Sequence, residues 1–406
     1  MESSIAVSLE TLLPSWPLDL NPLATTALAL VLAATLGELA RRRLDLPRIC
    51  GYSLAGLITG PLLFDWVSPD EAHSLRVLID LSLVLLLFEL GVRVDLRWLR
   101  RNPVLLAASV AEAGVTFGLA WGVLTLMGYT WPLSVIVAII CIAGSPAIAL
   151  RMVGELGARG QVTERMLAMT ALNVAYAVIL SHLALGALHQ NFGSGWVATV
   201  AHPLYLLGGS FAVAFALAGA FRLTRRYLDL SQEQASVVLF ALLWLTMSIL
   251  QAVKLPVLLA PLLAGMLVRS SDPRPHLWPS HFGSAGALLV ILIFIVTGGV
   301  LTREYVVIGG GVALALALTR VLGKAATTAL LTYRSSTTPR QALALGLTLG
   351  PMSGVAFVMA DDISQLYPTF GLQLMAIVVS MIAILDIVTP ILIQRVLRRV
   401  GETQEH

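Results

Sequence analysis

Five polar or ionisable residues lie inside long apolar stretches of this sequence, where they could bind ions or carry protons: Glu112, Asn173, Arg320, Lys324 and Asp386. A charged side chain inside a bilayer is costly, and such residues are usually retained because they bind ions or relay protons. Lys324 follows Arg320 by one helical turn and shares its helix face. We therefore expect these five residues to form an ion-binding or proton-binding site.

A second chemical feature is the motif Gly144-Ser145-Pro146, in the middle of the apolar run 131–152. Proline interrupts a helix, and a break inside a membrane leaves backbone groups that only protein or water can satisfy. Broken helices of this kind surround the substrate site in many secondary transporters. A looser counterpart, Leu349-Gly350-Pro351, lies in the run 338–360. We expect broken-helix backbone and hydroxyl groups to contribute to the site at Gly144, Ser145, Pro146, Gly350, Pro351 and Ser353.

The composition defines the class of protein that must position these groups. Of 406 residues, 57% are hydrophobic and 12% are charged, whereas soluble domains average about 25% charged residues. The chain is therefore expected to be a polytopic membrane protein. The net charge of +3 is too small to suggest a nucleic-acid partner. We find no motif for a nucleophile with its base, a metal site or a dinucleotide, so neither an enzyme nor a cofactor is expected.

Apolar runs of about 20 residues predict membrane-spanning helices. Thirteen such runs are predicted, at 22–42, 47–66, 72–94, 103–127, 131–152, 163–188, 197–222, 232–252, 255–270, 282–302, 305–331, 338–360 and 367–395. The expected fold is an all-α membrane protein that forms one transmembrane transporter domain, without a soluble regulatory domain.

Charge predicts the orientation of these helices. The connections after odd-numbered helices, and the carboxyl terminus, hold most of the arginines, whereas the opposite ends have only Arg76, Lys254 and Arg303. Because positive residues concentrate on the cytoplasmic side, we expect the amino terminus outside and the carboxyl terminus in the cytoplasm. The first residues carry acidic rather than basic groups, so no cleavable signal is expected. The expected location is the inner membrane of a bacterium.

Three short motifs recur in the same order. Leu46-Pro47 returns as Leu255-Pro256 after 209 residues, the proline of Gly144-Ser145-Pro146 returns in Leu349-Gly350-Pro351 after 205, and Leu172-Asn173-Val174 returns as Leu385-Asp386-Ile387 after 213. The equivalent elements are seven helices apart, so the two copies would have opposite orientations. We predict two inverted six-helix repeats at about 22–188 and 232–396, with a linker helix at about 197–222. Glu112 and Arg320 are also related, at a spacing of 208 residues.

Structural roles remain open alternatives for these residues. Glu112 and Arg320 could form a static ion pair, and Asn173 alone could form a hydrogen bond between helices. Thr389-Pro390 lies three residues after Asp386 and predicts a locally opened helix. That prediction favours a functional role for Asp386.

Several segments resemble signatures of the monovalent cation:proton antiporters, the sodium/proton exchanger and Kef-like superfamily. The segment Gly51–Pro61 resembles the second-helix signature, and Leu86–Gly91 followed by Asp95 resembles the next one. Ser145-Pro146-Ala147 with Glu155-Leu156-Gly157 is similar to the first broken helix of the family. Arg320-Val321-Leu322-Gly323 resembles the basic residue and glycine of its eleventh helix.

This resemblance implies a core domain around two crossing broken helices, a dimerisation domain that makes a homodimer, and elevator-like alternating access. Asn173 matches the polar first position of the family's sixth helix, and Arg320 matches its basic residue. The sequence departs from the family at Val174, where an acidic residue is usual, and at Gly354, where many Kef-like relatives have glutamate. Both departures remove the obvious proton carrier.

The predicted repeat suggests a replacement for that carrier. If Asp386 is the counterpart of Asn173 and Glu112 that of Arg320, the two carboxylates should approach one another, and one of them would bind a proton. The leading functional prediction is exchange of a monovalent cation, sodium or potassium, for protons. The alternatives are a family member without antiport (a uniporter, a channel-like pathway or a carrier of another solute) and a transport-inactive sensor.

Overall fold

The computed structural model describes residues 22–66, 74–191, 196–227, 232–271, 283–332 and 338–404, and within these ranges the regular structure is helical. The helices are α1 Pro22–Leu44, α2 Arg48–Thr59, α3 Arg76–Val92, α4 Leu96–Arg101, α5 Pro103–Leu126, α6 Trp131–Ile140, α7 Pro146–Leu156, α8 Gln161–Asn191, α9 Trp196–Tyr227, α10 Gln232–Ala252, α11 Leu259–Ser271, α12 Gly283–Gly299, α13 Arg303–Thr332, α14 Pro339–Thr348, α15 Gly354–Leu366 and α16 Pro368–Arg399.

Among the described residues, seven helices are long and apolar enough to cross a membrane: α1, α5, α8, α9, α10, α13 and α16. Shorter apolar helices occur at Trp131–Ile140, Leu259–Ser271 and Gly286–Gly299. Each of the thirteen predicted runs contains a helix or a pair of half-helices. The number of membrane crossings and the inverted repeat remain predictions.

Both predicted helix breaks are confirmed. Within the run 131–152, α6 ends at Ile140 and α7 begins at Pro146, where the missing N–H of proline costs no helical hydrogen bond. Ser145 caps α7, because its hydroxyl accepts a hydrogen bond from the Ile148 N–H at 3.3 Å. Within the run 338–360, α14 ends at Thr348 and α15 begins at Gly354.

The interrupted helices lie in the centre of the molecule. Every residue from Ile136 to Leu150 is buried, and α13 packs between α5 and α16. In helix packing within a membrane, small residues allow backbones to approach closely. A Cβ atom on Gly56 of α2 would lie 2.3 Å from the Phe294 carbonyl oxygen of α12, and one on Gly265 of α11 would lie 2.4 Å from the Phe88 oxygen of α3. Gly56 and Gly265 are therefore contact points between helices.

The predicted opening at Thr389-Pro390 is wrong, because α16 continues through this segment as one helix from Pro368 to Arg399. The Thr389 hydroxyl donates to the Leu385 carbonyl at 2.6 Å. Pro390 has no N–H to give the Asp386 carbonyl, four residues earlier. The Ser53 hydroxyl of α2 reaches that carbonyl at 3.4 Å instead. A side chain from a neighbouring helix thus partly replaces the lost backbone hydrogen bond.

Candidate functional site

The two helix breaks meet at a pair of serines. The hydroxyl oxygens of Ser145 and Ser353 are 2.6 Å apart, and each residue is 1% exposed. The two serines belong to different breaks and are 208 residues apart in sequence. This hydrogen bond brings together the start of α7 and the start of α15, as the sequence prediction for both residues requires.

Arg320 of α13 joins the other ends of the same breaks. Its guanidinium donates to the carbonyl oxygens of Gly350 at 3.0 Å, Ala143 at 2.7 Å and Pro351 at 2.8 Å, and also to that of Cys141. The last carbonyls of a helix lack intrahelical donors and carry a partial negative charge. The five N–H donors of arginine match this need. Arg320, 1% exposed, therefore satisfies the breaks after α6 and after α14 with one positive charge.

Lys324, one turn further along α13, forms an ion pair with Glu112 of α5, and both side chains are fully buried. Thr116 donates its hydroxyl to Glu112 Oε1 at 3.1 Å, and the Asn173 amide of α8 donates to Glu112 Oε2 at 2.8 Å. Lys324 Nζ also donates to the Ile142 carbonyl at 3.4 Å, within the first break. Residues of α5, α8 and α13 thus bond to the Glu112 carboxylate, and Lys324 connects this group to the first break.

The predicted approach of Glu112 to Asp386 is not seen as a hydrogen bond between them. Glu112 bonds instead to a lysine, a threonine and an amide, and the closeness of the two carboxylates stays a prediction. Lys324 shares a helix face with Arg320 and supplies the cation that pairs with Glu112. Asp386 is 2% exposed, and its Oδ1 atom has no hydrogen-bond partner among the described residues.

Asp386 nevertheless lies beside the second break. α16 packs against α14 and α15, and a Cβ atom on Gly350 would lie 3.3 Å from the Thr389 methyl group, one turn from Asp386. A Cβ atom on Gly144, in the first break, would lie 2.9 Å from the Thr170 methyl group. Both break glycines therefore leave room for helices that carry site residues.

Two cavities that carry charged residues in their lining lie near opposite ends of α3. One cavity, of about 420 Å³, is lined by Arg48, Tyr52, Glu89, Arg151 and Glu155 among others. The second, of about 380 Å³, is lined by residues that include Arg76, Asp80 and Asp362. Glu89 and Arg76 are 13 residues apart on α3, about 20 Å along a helix. Water can therefore approach the bundle from two sides.

Sequence reasoning missed Thr116 and the ion pairs of Arg76. Thr116 follows Glu112 by one turn and precedes Lys324 by the same 208 residues that separate Ser145 from Ser353, so a signal for it was present. Arg76 Nε bonds to Asp80 Oδ1 at 3.1 Å, and Arg76 also pairs with Asp362 at 2.6 Å and with Asp361. Nothing in the sequence indicated that α3 and α15 would be joined there.

The fold and the buried polar groups define an integral membrane protein of the ion-transporter type. A family model described as "Sodium/hydrogen exchanger, transmembrane" matches residues 27–399, and the chain belongs to this family within the monovalent cation:proton antiporter superfamily. This result confirms the family predicted from the helix signatures.

Individual relatives are more distant. The chain is 28% identical over 269 residues to the glutathione-regulated potassium-efflux system protein KefC of Klebsiella pneumoniae strain 342, a match that covers 63% of this chain and 41% of that protein. Among solved structures, the sodium proton antiporter MjNhaP1 from Methanocaldococcus jannaschii at pH 8 superposes with a TM-score of 0.70 at 19% identity. That match covers 93% of this chain and 96% of the other. An electron-microscopy map of the same antiporter gives a TM-score of 0.73 at 16% identity. These likenesses establish the fold.

Proposed function

We propose that this protein exchanges a monovalent cation, sodium or potassium, for protons across the membrane by alternating access. The observation that carries this proposal is the presence of two buried carboxylates, Glu112 and Asp386, on helices that pack around two touching helix breaks. The relatives support the same function, since one is named as a potassium-efflux system protein and the other as a sodium proton antiporter.

The Glu112 network supplies fixed charge in this proposal. Glu112 and Lys324 cancel one another, and Arg320 compensates the carbonyls of the breaks. Asn173 orders the Glu112 carboxylate through a 2.8 Å hydrogen bond. Val174, the buried neighbour of Asn173, carries no acidic group. The helix that corresponds to the sixth helix of the family therefore contributes only the Asn173 amide. The exchange then needs a second carboxylate that a proton and a cation can both occupy, and Asp386 fits that requirement.

Alternating access would use the proposed inverted repeats, 22–188 and 232–396, with 197–222 as linker. The cavity at Arg48 and Glu155 would be the cytoplasmic approach, and the cavity at Arg76 and Asp362 the outer one. This orientation follows the positive-inside rule, with the amino terminus outside and the carboxyl terminus in the cytoplasm of a bacterial inner membrane. A homodimer follows from the family pattern.

The test is a proton-flux assay in vesicles that contain a pH-sensitive dye and a preformed pH gradient. Addition of lithium, sodium, potassium or rubidium should collapse the gradient for the wild-type protein with at least one ion. Glu112→Gln should abolish the response, because Lys324 loses its counter-charge inside the bundle. Glu304→Gln, the same substitution at an exposed position of α13, is the matched control and should leave transport unchanged.

A second candidate function is favoured by Val174, since the usual acidic residue is missing there. A uniporter, a channel-like pathway or a carrier of another solute would move its substrate without collapsing the pH gradient. A transport-inactive sensor would produce neither movement. Either result in the wild-type protein, reconstituted and monodisperse, would contradict the proposed antiport.

A further inference from the structure

Asp386 has surroundings that suit a bare cation better than a static structural role. It is 2% exposed and its Oδ1 atom is unpartnered among the described residues. A buried polar atom without a hydrogen bond is expensive, and native structures keep few of them. Such an atom is therefore a candidate ligand for a species that is bound only during part of the protein's cycle.

A second oxygen is available at the same residue. Because Pro390 has no N–H, the Asp386 carbonyl lacks its helical donor. Ser53 reaches this carbonyl at 3.4 Å, but its hydroxyl also bonds to the Ile49 carbonyl at 3.1 Å, so the single Ser53 proton is shared. The backbone oxygen of Asp386 is thus only weakly satisfied.

The α2 helix contacts α16 next to Asp386, because the Cys50 thiol donates to the Ile387 carbonyl at 3.6 Å. Three charged groups on neighbouring helices have other partners. On α13, Arg320 bonds to the breaks and Lys324 to Glu112. On α7, Glu155 pairs with Arg41. None of these contacts supplies a counter-charge to Asp386.

The geometry points to a binding site for one dehydrated monovalent cation between α16 and α2, formed by the carboxylate and carbonyl oxygens of Asp386 and the Ser53 hydroxyl. Carboxylate, carbonyl and hydroxyl oxygens are the ligands that hard cations prefer, and backbone carbonyls can replace a hydration shell. A proton on the carboxylate excludes the cation by removing its charge. This inference rests on the proposed function and assigns its exchange site to α16.

The decisive variant is Pro390→Ala, because alanine restores the N–H that bonds to the Asp386 carbonyl and withdraws one cation ligand. The apparent KM for the cation should rise several-fold, while the maximal rate changes little. Ser53→Ala should act in the same direction, and Asp386→Asn should abolish cation-dependent proton release. Pro203→Ala, which removes the proline inside α9, is the matched control and should leave KM unchanged.

Binding is measured separately from transport, as the increase in unfolding temperature of detergent-solubilised protein when choline chloride is replaced by sodium or potassium chloride. The wild-type protein should be stabilised, and Asp386→Asn should lose the effect. A cation-dependent shift that persists in Asp386→Asn overturns the proposed site. If binding follows this pattern but vesicles show no proton flux, the site stands and the antiport function fails.

The segment 401–404 after α16, called the tail below, supports a second and independent inference. Glu402, 9% exposed, accepts hydrogen bonds at 2.8 Å from the backbone N–H groups of Val162 and Thr163 and from the Thr163 hydroxyl. These are first-turn donors of α8, which otherwise lack partners. A carboxylate at a helix amino terminus also interacts favourably with the helix dipole. Glu402 therefore caps α8 from 240 residues away in sequence.

The loop before α8 is shaped for this tail. Gly160 has φ of 155°, and a Cβ atom there would lie 2.2 Å from the Glu402 carboxyl carbon. Backbone bonds from Arg159 N–H to the Glu402 carbonyl, at 2.9 Å, and from Gln404 N–H to the Leu156 carbonyl, at 3.1 Å, align the tail with the loop. The tail thus holds the end of α7 and the start of α8 together.

We infer that this tail is a latch, in which Glu402 is a positioning residue that fixes α8 and the Asn173 side chain it carries. Glu402→Ala should increase hydrogen exchange at the first-turn amides of α8 several-fold and raise the KM for the cation. Glu402→Asp should restore part of both effects, and Thr403→Ala, which leaves the carboxylate in place, should change neither. Unchanged exchange and KM in Glu402→Ala would overturn the latch.

A protein shortened to end at Val400 distinguishes loss of the latch from local effects of replacing the Glu402 side chain alone. It should exchange at the start of α8 as fast as Glu402→Ala does. Slow exchange in this shortened protein would contradict the inference even if transport were lost. Because hydrogen exchange does not depend on transport, failure of the antiport proposal is distinguishable from failure of the latch.

Discussion

The two buried carboxylates of this bundle, Glu112 and Asp386, have opposite surroundings. Glu112 bonds to Lys324, Thr116 and Asn173. Asp386 keeps an oxygen atom without a partner among the described residues, and its backbone carbonyl is left weakly satisfied by Pro390. Equal burial therefore says little about role. Glu112 has its hydrogen-bonding capacity engaged by neighbouring side chains, whereas Asp386 keeps an acceptor atom that the proposed cation would use.

The comparison also explains how this chain can lack the usual acidic residue at position 174. The Asn173 amide donates a hydrogen bond to the Glu112 carboxylate, which lies on α5 and not on the helix that carries Asn173. The free acid lies on α16, which the sequence repeat relates to the helix of Asn173. The chemistry expected of one helix is thus divided between two.

The largest expected effect is the loss of folding stability when the ion pair of Glu112 with Lys324 is broken. Lys324→Ala leaves a buried carboxylate without its counter-charge, and breaking such a pair costs about 3–5 kcal/mol of folding free energy. Thermal unfolding of the purified protein should show a large loss of stability. The double variant Glu112→Gln with Lys324→Met removes both charges and should recover most of it. A mild effect of Lys324→Ala alone would show that the pair is not desolvated as described.

The smallest expected effect is on the Asp386 side. Asp386→Asn replaces an acid that has no ion-pair partner with an isosteric amide, so the free energy of unfolding should change by less than about 1 kcal/mol. The same unfolding assay, in choline chloride, measures it. A loss as large as that of Lys324→Ala would show that Asp386 is held by interactions like those of Glu112, and the contrast between the two carboxylates would disappear.

Much of the fold was predictable because membrane burial leaves a strong pattern. The apolar runs located the helices, and Gly144-Ser145-Pro146 and Gly350-Pro351 located both breaks, since proline and glycine act locally. Intramembrane polarity also identified Glu112, Asn173, Arg320, Lys324 and Asp386, all of which are buried in the structure. These features depend on short stretches of chain.

The pairing of these residues was not predictable in the same way. The repeat suggested that Glu112 would approach Asp386, but it did not indicate that Lys324 would form an ion pair with Glu112. Thr389-Pro390 suggested an opened helix, yet Ser53 from α2 supports the carbonyl that proline leaves free. Glu402 caps a helix that begins 241 residues earlier in the sequence. Such contacts depend on long-range packing, which local patterns do not encode.

The bonds of Arg320 have a mechanical consequence. One rigid, planar group holds carbonyls from both interruptions, so the two interruptions cannot separate while those bonds last. If the proposed transport cycle keeps these bonds, their spacing should stay constant, and a pair of spectroscopic probes across it should report one distance in every state of the protein. In that cycle, the rearrangement that exposes the centre to each side should displace both interruptions as a single body.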